Sequence, residues 1–175
     1  TLRPKLETAG GKISSLEILQ TAITEHPTIR PHRMAIGFYN LVDGQLRRTN
    51  RIEIDVDGDV TSVPQAEGIE VPDLLLLNDD DLAYAKIRLD EKSWANAIKH
   101  LGVFEDSLPR TLVWGAAWDA TRDAETAARD FIDLVLTNID TENESTVVRT
   151  VLGQLLLASS LYVDPATRQT QTDRV

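Results

Sequence analysis

The chain has no cysteine. Disulfides, thiolate metal sites and a thiol nucleophile are therefore excluded together, and the redox compartment leaves no mark in the sequence. Aromatic residues are sparse at 5%, and there is a single methionine. Lys and Arg number 18 against 28 Asp and Glu, a formal charge of −10. No local Lys/Arg run offsets that charge, so the electrostatic footprint of a nucleic-acid binder is missing. No apolar run approaches the roughly 20 residues of a membrane helix, and the start lacks a basic stretch followed by an apolar core. The chain is expected to be soluble, cytoplasmic and without contact to nucleic acid or membrane. It begins without Met and ends in a polar stretch, as a trimmed piece of a longer protein would. No glycine-rich phosphate loop follows a strand and no Gly-x-Ser-x-Gly elbow occurs, so nucleophilic catalysis has no candidate.

What is present suffices for a buried core: 42% of the 175 residues are hydrophobic, enough for one large or two small domains. In the first half, the patterns are those of strands. Leu2, Pro4 and Leu6 alternate with charged residues, Gly10-Gly11 reads as a turn, and Ile13, Leu16, Ile18 and Leu19 continue beyond it. Residues 25–33, with Pro27 and Pro31 and no apolar period, read as a loop. Asp43-Gly44 and Asp57-Gly58 are each type I′ hairpin signals between apolar-patterned runs. Residues 73–77 are an apolar run, 78–81 an acidic turn, and 84–89 alternate as a second strand would. The count reaches about seven short strands, the number of a two-sheet sandwich.

After Asp90 the period becomes helical. Asp90 is a good N-cap, with Trp94, Ala97, Ile98 and Leu101 at helical spacing before Gly102. A second helix is predicted from Ser107 as N-cap, with Pro109 just inside. A third runs from near Asp123 to Asn138 with Ala127, Ala128, Phe131, Leu134 and Val135 on one face. A fourth starts at Thr141, where Glu144 completes a capping-box pattern, and presents Val148, Val151, Leu152, Leu155 and Ser159. Four such helices joined by short loops pack as antiparallel neighbours. The fold class is α+β: a β-sandwich over 1–90, a helical domain over 91–165 and a polar tail over 166–175.

Candidates for chemistry are few. The histidines are His26, His32 and His100; none is followed by Glu and none has a second His four residues on, as zinc chelation from one helix face requires. Asp55, Asp57, Gly58 and Asp59, and Asn78 to Asp81, place oxygen ligands on loops, but an EF-hand wants Gly sixth and Glu twelfth. Here Gly58 is fourth and Ala66 twelfth, so both read as turns. Asp119, Asp123 and Glu125 cluster at one helix junction without a sign of a pocket. Trp114 and Trp118, spaced i, i+4, share one helix face and, with Trp94, read as core. No catalytic, cofactor-binding or metal residue is assigned.

The stretch from Val71 to Leu101, with its leucine run ending in Leu77-Asn78, polar turn, Tyr84, Arg88, Asp90 and following helix, resembles the junction of the third and fourth domains of aminopeptidase N enzymes. Thr1-Leu2-Arg3-Pro4 resembles the start of that family's third domain. Ser107-Leu108-Pro109-Arg110, Trp114-Gly115-Ala116-Ala117-Trp118-Asp119 and Thr121-Arg122-Asp123-Ala124-Glu125 resemble its early helical domain. The resemblance implies a fibronectin-like sandwich and the opening of an α-superhelical domain, in a parent that cleaves N-terminal residues from peptides with zinc. It gives Tyr84 and Arg88 structural roles. The family's His-Glu-x-x-His and Gly-x-Met-Glu-Asn motifs are absent, so this part is expected to hold no zinc and to scaffold the parent's catalytic domain and substrate chamber. Its expected partners are that catalytic domain and further helices. The apolar continuation through Leu155, Leu156, Leu157 and Leu161 is expected to stay exposed and to meet those helices or a second copy. The alternative is an independent fibronectin-like protein-binding module presenting loop 25–33.

Overall fold

A computed structural model describes all 175 residues. By contacts they form two compact units, Thr1–Trp94 and Ala95–Val175, and the boundary falls inside a helix. No helix is long and apolar enough to cross a membrane.

The first unit holds strands β1 (Leu2–Ala9), β2 (Lys12–Gln20), β3 (His32–Val42), β4 (Gln45–Val56), β5 (Val60–Ser62) and β6 (Leu74–Leu77). They form two antiparallel three-stranded sheets, ordered β1-β2-β5 and β4-β3-β6. The β1–β2 turn at Gly10 and Gly11 has φ of 58° and 77°, and the β3–β4 turn at Asp43 and Gly44 has 51° and 80°. Positive φ at both central residues is the type I′ requirement that Gly and Asp meet at small cost. Alternation along β2 buries Ile13, Leu16 and Ile18, while β3 and β6 bury every apolar residue from Met34 to Tyr39 and from Leu74 to Leu77. Such continuous burial is why β6 reads as an unbroken leucine run rather than an alternating one.

Two expected hairpins are absent. Asp57-Gly58 does not join two strands of one sheet, because β5 pairs with β2 through Glu17↔Ser62, Ile18↔Thr61 and Leu19↔Val60. The turn, with Gly58 at φ 74°, carries the chain from one sheet to the other. An Asp-Gly pair specifies a tight turn and not the partner of the strand that leaves it. Residues 84–89 likewise form no second strand of a hairpin with β6. Their one β-bridge is an isolated parallel one between Ile87 and Leu2, so there are six strands, not seven.

Helices α1 (Glu91–His100), α2 (Ser107–Arg122), α3 (Ala128–Asn138), α4 (Ser145–Leu157) and α5 (Arg168–Thr172) follow. Asp90 caps α1 as expected, its Oδ1 accepting the Ser93 N–H at 3.0 Å, and the Ser93 hydroxyl accepts the Leu75 N–H of β6 at 2.8 Å. The helix start and the leucine strand are thereby fixed to each other. For α2 the residue at the cap is Asp106, not Ser107, and Pro109 lies in the first turn, where its missing N–H removes no helical bond. The third helix begins at Ala128 rather than near Asp123, and Ala127 is exposed. Its core face is Ala128, Phe131, Ile132, Leu134 and Val135, each at most 6% exposed. The polar tail contains α5.

Helix α4 ends in a π turn over Ala158–Tyr162. Val151, Leu155 and Ala158 face inward, whereas Leu152, Leu156, Leu157 and Leu161 are 41%, 61%, 44% and 66% exposed. The anticipated apolar stripe is real, except that Leu155 belongs to the core and Leu152 to the stripe.

Candidate functional site

The residues singled out for metal chemistry do not converge. His26 lies in the β2–β3 connection, His32 starts β3 and His100 ends α1. Burial, then the N-terminal ammonium and Arg30, push the His32 imidazole below its usual 6.5. No three His, Asp or Glu side chains are grouped as metal ligands. Two of these acids are paired with arginine: Arg33 holds Asp55, at the end of β4, at 3.0 Å, and Arg48 and Arg51 hold Asp80 at 2.7 and 2.6 Å. Asp119 is partly exposed and Asp123 and Glu125 are exposed; the close of α2 passes through Ala124 at φ 58°, with the Glu125 N–H bonded to the Ala120 carbonyl at 2.9 Å.

Two buried carboxylates organise the units instead. In the first unit, Asp79 is 1% exposed and accepts the Tyr39 hydroxyl at 2.6 Å and an Arg48 N–H at 2.8 Å. Its own backbone N–H donates to the Ala35 carbonyl at 3.0 Å. The approach is open because residue 37 is glycine: a Cβ there would lie 2.6 Å from both Asp79 Cγ and Tyr39 Cε2. Position 37 thus needs Gly for space, not for an unusual φ.

In the second unit, Glu142 gathers donors from α2 and from its own loop. Arg110 binds it bidentately, Nε to Oε2 at 2.8 Å and an NH2 to Oε1 at 3.0 Å. The Trp114 indole N–H adds a bond at 3.1 Å, and the backbone N–H groups of Asn143 and Glu144 add bonds at 3.1 and 3.2 Å. These last two contacts replace the capping box expected at Thr141 and Glu144. Thr141 instead donates to the Asn138 carbonyl at 2.8 Å, and the carboxylate that serves the entry to α4 is Glu142. A charged acceptor with a bidentate arginine outcompetes a neutral hydroxyl cap.

Burial alone would push the Glu142 carboxyl up, but the hydrogen bonds from Arg110, the Glu144 N–H and Trp114 outweigh it and hold the group below its ordinary 4.5. A carboxylate whose folded pKa is depressed adds stability that is full above the unfolded pKa and is lost as pH falls through the folded one. Acid titration of the chain should therefore loosen the helical unit progressively below pH 4.5. Trp fluorescence against pH would read this, and an Glu142→Gln variant whose acid transition matches the parent's would show that the group contributes nothing.

The tryptophans divide their work. Trp114 serves Glu142, while Trp118 packs on Phe131 at 5.4 Å between ring centroids and edge-on to Tyr162 at 5.7 Å. Asn138 ties the turn after α1: its Nδ2 donates to the Ile98 carbonyl and its Oδ1 accepts the Gly102 N–H, both at 2.9 Å. Sequence reasoning missed Tyr39, Arg48, Arg110 and Glu142 as a set. One signal was available, since Arg110 and Trp114 stand i, i+4 on one helix face and a buried arginine requires a carboxylate. Nothing in the chain marks Glu142 among so many acids.

Arg88 is 5% exposed, and Tyr84 is fully exposed.

Residues 74–174 match the model of a family described as the ERAP1-like C-terminal domain. A protein of Streptomyces lividans named "Aminopeptidase N" is 51% identical over 176 residues, which is 96% of this chain and 20% of that relative. The chain therefore spans about a fifth of the length of the relative it matches.

Proposed function

This chain belongs to the ERAP1-like C-terminal domain family, and from that membership we propose that it is a non-catalytic scaffold within a zinc aminopeptidase of the aminopeptidase N kind. The parent removes N-terminal residues from peptides, with zinc polarising the scissile carbonyl and activating water. It is a cytoplasmic enzyme. The sheet unit carries the catalytic domain, and the helical unit opens the array that walls the substrate chamber. The stripe Leu152, Leu156, Leu157 and Leu161 receives further helices of the parent, and a second copy takes that place when the chain stands alone. Identity of 51% across nearly the whole chain to part of an aminopeptidase N is the observation that supports this reading.

Hydrolysis of an alanyl chromogenic amide tests it, with zinc added to this chain and to the full natural polypeptide that carries it. The full polypeptide should turn over and the chain should not. Zinc-dependent turnover by the chain would overturn the scaffold role, and an inert full polypeptide would overturn the peptidase.

A further inference from the structure

Val42-Asp43-Gly44 and Val56-Asp57-Gly58 are the same tripeptide, and in both the Asp and the Gly are exposed. An aspartate followed by glycine is prone to close on itself, because no side chain on the glycine shields its nitrogen from the aspartyl Cγ. The fold treats the two copies differently. At 43–44 the strands pair up to the turn on both sides, Val42 opposite Gln45, and Asp43 is held at φ 51° in a hydrogen-bonded turn. Bringing the Gly44 nitrogen onto Cγ requires rotation about the Asp43 Cα–C bond, which opens the end of that ladder. At 57–58 the pairing with β3 ends at Val56, β5 starts only at Val60, and Gly58 sits in a bend with no turn hydrogen bond. The Asp57 backbone is held by one side chain: the Thr61 hydroxyl accepts its N–H at 3.0 Å and donates to its carbonyl at 3.1 Å. The second of these bonds draws electron density from the Asp57–Gly58 peptide and makes the Gly58 N–H more acidic.

We propose that Asp57 is a site of spontaneous isoaspartate formation and that the fold protects Asp43 from the same reaction. The Gly58 nitrogen bonds to the Asp57 Cγ, and one carboxyl oxygen leaves as water, taking the N–H proton and the carboxyl's own. The product is a cyclic succinimide, which water then opens. Cleavage at the former main-chain carbonyl leaves the chain running through Cβ and Cγ, with the old carbonyl carbon as the free carboxylate; cleavage at Cγ restores aspartate. Nothing is oxidised or reduced, and the charge is unchanged. The extra main-chain carbon falls in the crossing between the two sheets, where β5 is held to β2 by Glu17↔Ser62, Ile18↔Thr61 and Leu19↔Val60 and by the Gln20 N–H on the Asp59 carbonyl at 2.8 Å. Isomerisation should therefore loosen β5 from β2. The reaction needs no partner beyond water and is independent of any peptidase activity.

The test holds the full natural polypeptide for weeks at neutral pH and maps isoaspartate by mass spectrometry of its peptides, with electron-transfer fragmentation to tell the isomers apart. Isoaspartate at 57 should exceed that at 43 about tenfold or more, the ratio expected when ring closure at 43 must first break one or two hydrogen bonds. In denaturant the two sites should react at comparable rates, since the tripeptides are identical. Asp57→Asn, which closes the same ring with loss of ammonia, should form isoaspartate at 57 faster still. No isoaspartate at 57 in the native protein, an equal yield at 43, a ratio that persists in denaturant, or an Asp57→Asn variant that reacts no faster would overturn the assignment. In the aged fraction, exchange of the Gln20 amide hydrogen should accelerate, and unchanged exchange would overturn the loosening of β5.

Discussion

Glu142→Gln should destabilise the helical unit by about 3 kcal/mol, at the lower end of the cost of breaking a buried ion pair. The Glu142 side chain is 1% exposed and that of Arg110 is 7%, so water cannot replace the lost charge. A glutamine carbonyl still accepts one or two of the donors. Its amide then turns N–H groups toward the Arg110 guanidinium or toward the Asn143 and Glu144 N–H groups, and at least one donor stays unpaired. For a unit of this size the change amounts to a fall in melting temperature of about 12 °C or more. Thermal unfolding at pH 7, followed by Trp fluorescence, measures it, and a shift within about 3 °C would mean the pair is energetically idle. A second variant isolates the cause. Arg110→Met combined with Glu142→Leu removes both charges and should recover most of the stability, because well-packed apolar replacements of a buried pair are often neutral or better.

The next largest effect belongs to Gly37→Ala. The added methyl would meet the Asp79 carboxylate and the Tyr39 ring inside van der Waals contact. Neither neighbour yields easily, since Asp79 is held by Tyr39 and Arg48 and Tyr39 is 2% exposed. Overpacking at such a point costs about 1–3 kcal/mol, and displacing Asp79 adds the penalty of an unpaired buried hydroxyl. The sheet unit should therefore melt earlier by roughly 10 °C, and exchange of the Asp79 amide hydrogen, bonded to the Ala35 carbonyl, should accelerate. The helical unit is the internal reference: its Glu142-dependent acid transition should not move. Unchanged exchange at Asp79 would show that the carboxylate can slide away without loss, and that position 37 does not need glycine for space.

Local chemistry was legible. Asp43-Gly44 and Gly10-Gly11 demanded turns with positive φ and made them, Asp90 capped α1, and the leucine run became a strand buried on both faces. The change from period two to period 3.6 near Asp90 placed the sheets before the helices, and the quoted motifs identified the family. These readings succeed because turn, cap and period depend on residues within a few positions of one another.

Partnership over distance was not legible. Nothing beside Asp57-Gly58 says that β5 leaves the sheet of β4 to pair with β2, and nothing beside Glu142 says that Arg110, 32 residues earlier, will take it from solvent. The chain's 28 acids look alike in sequence, and only packing decides which two are stripped of water and must be paired. The sequence by itself therefore determined where this chain turns, caps and changes period, while the tertiary structure decided which strands pair, which carboxylates are buried and which tyrosine stands alone in solvent.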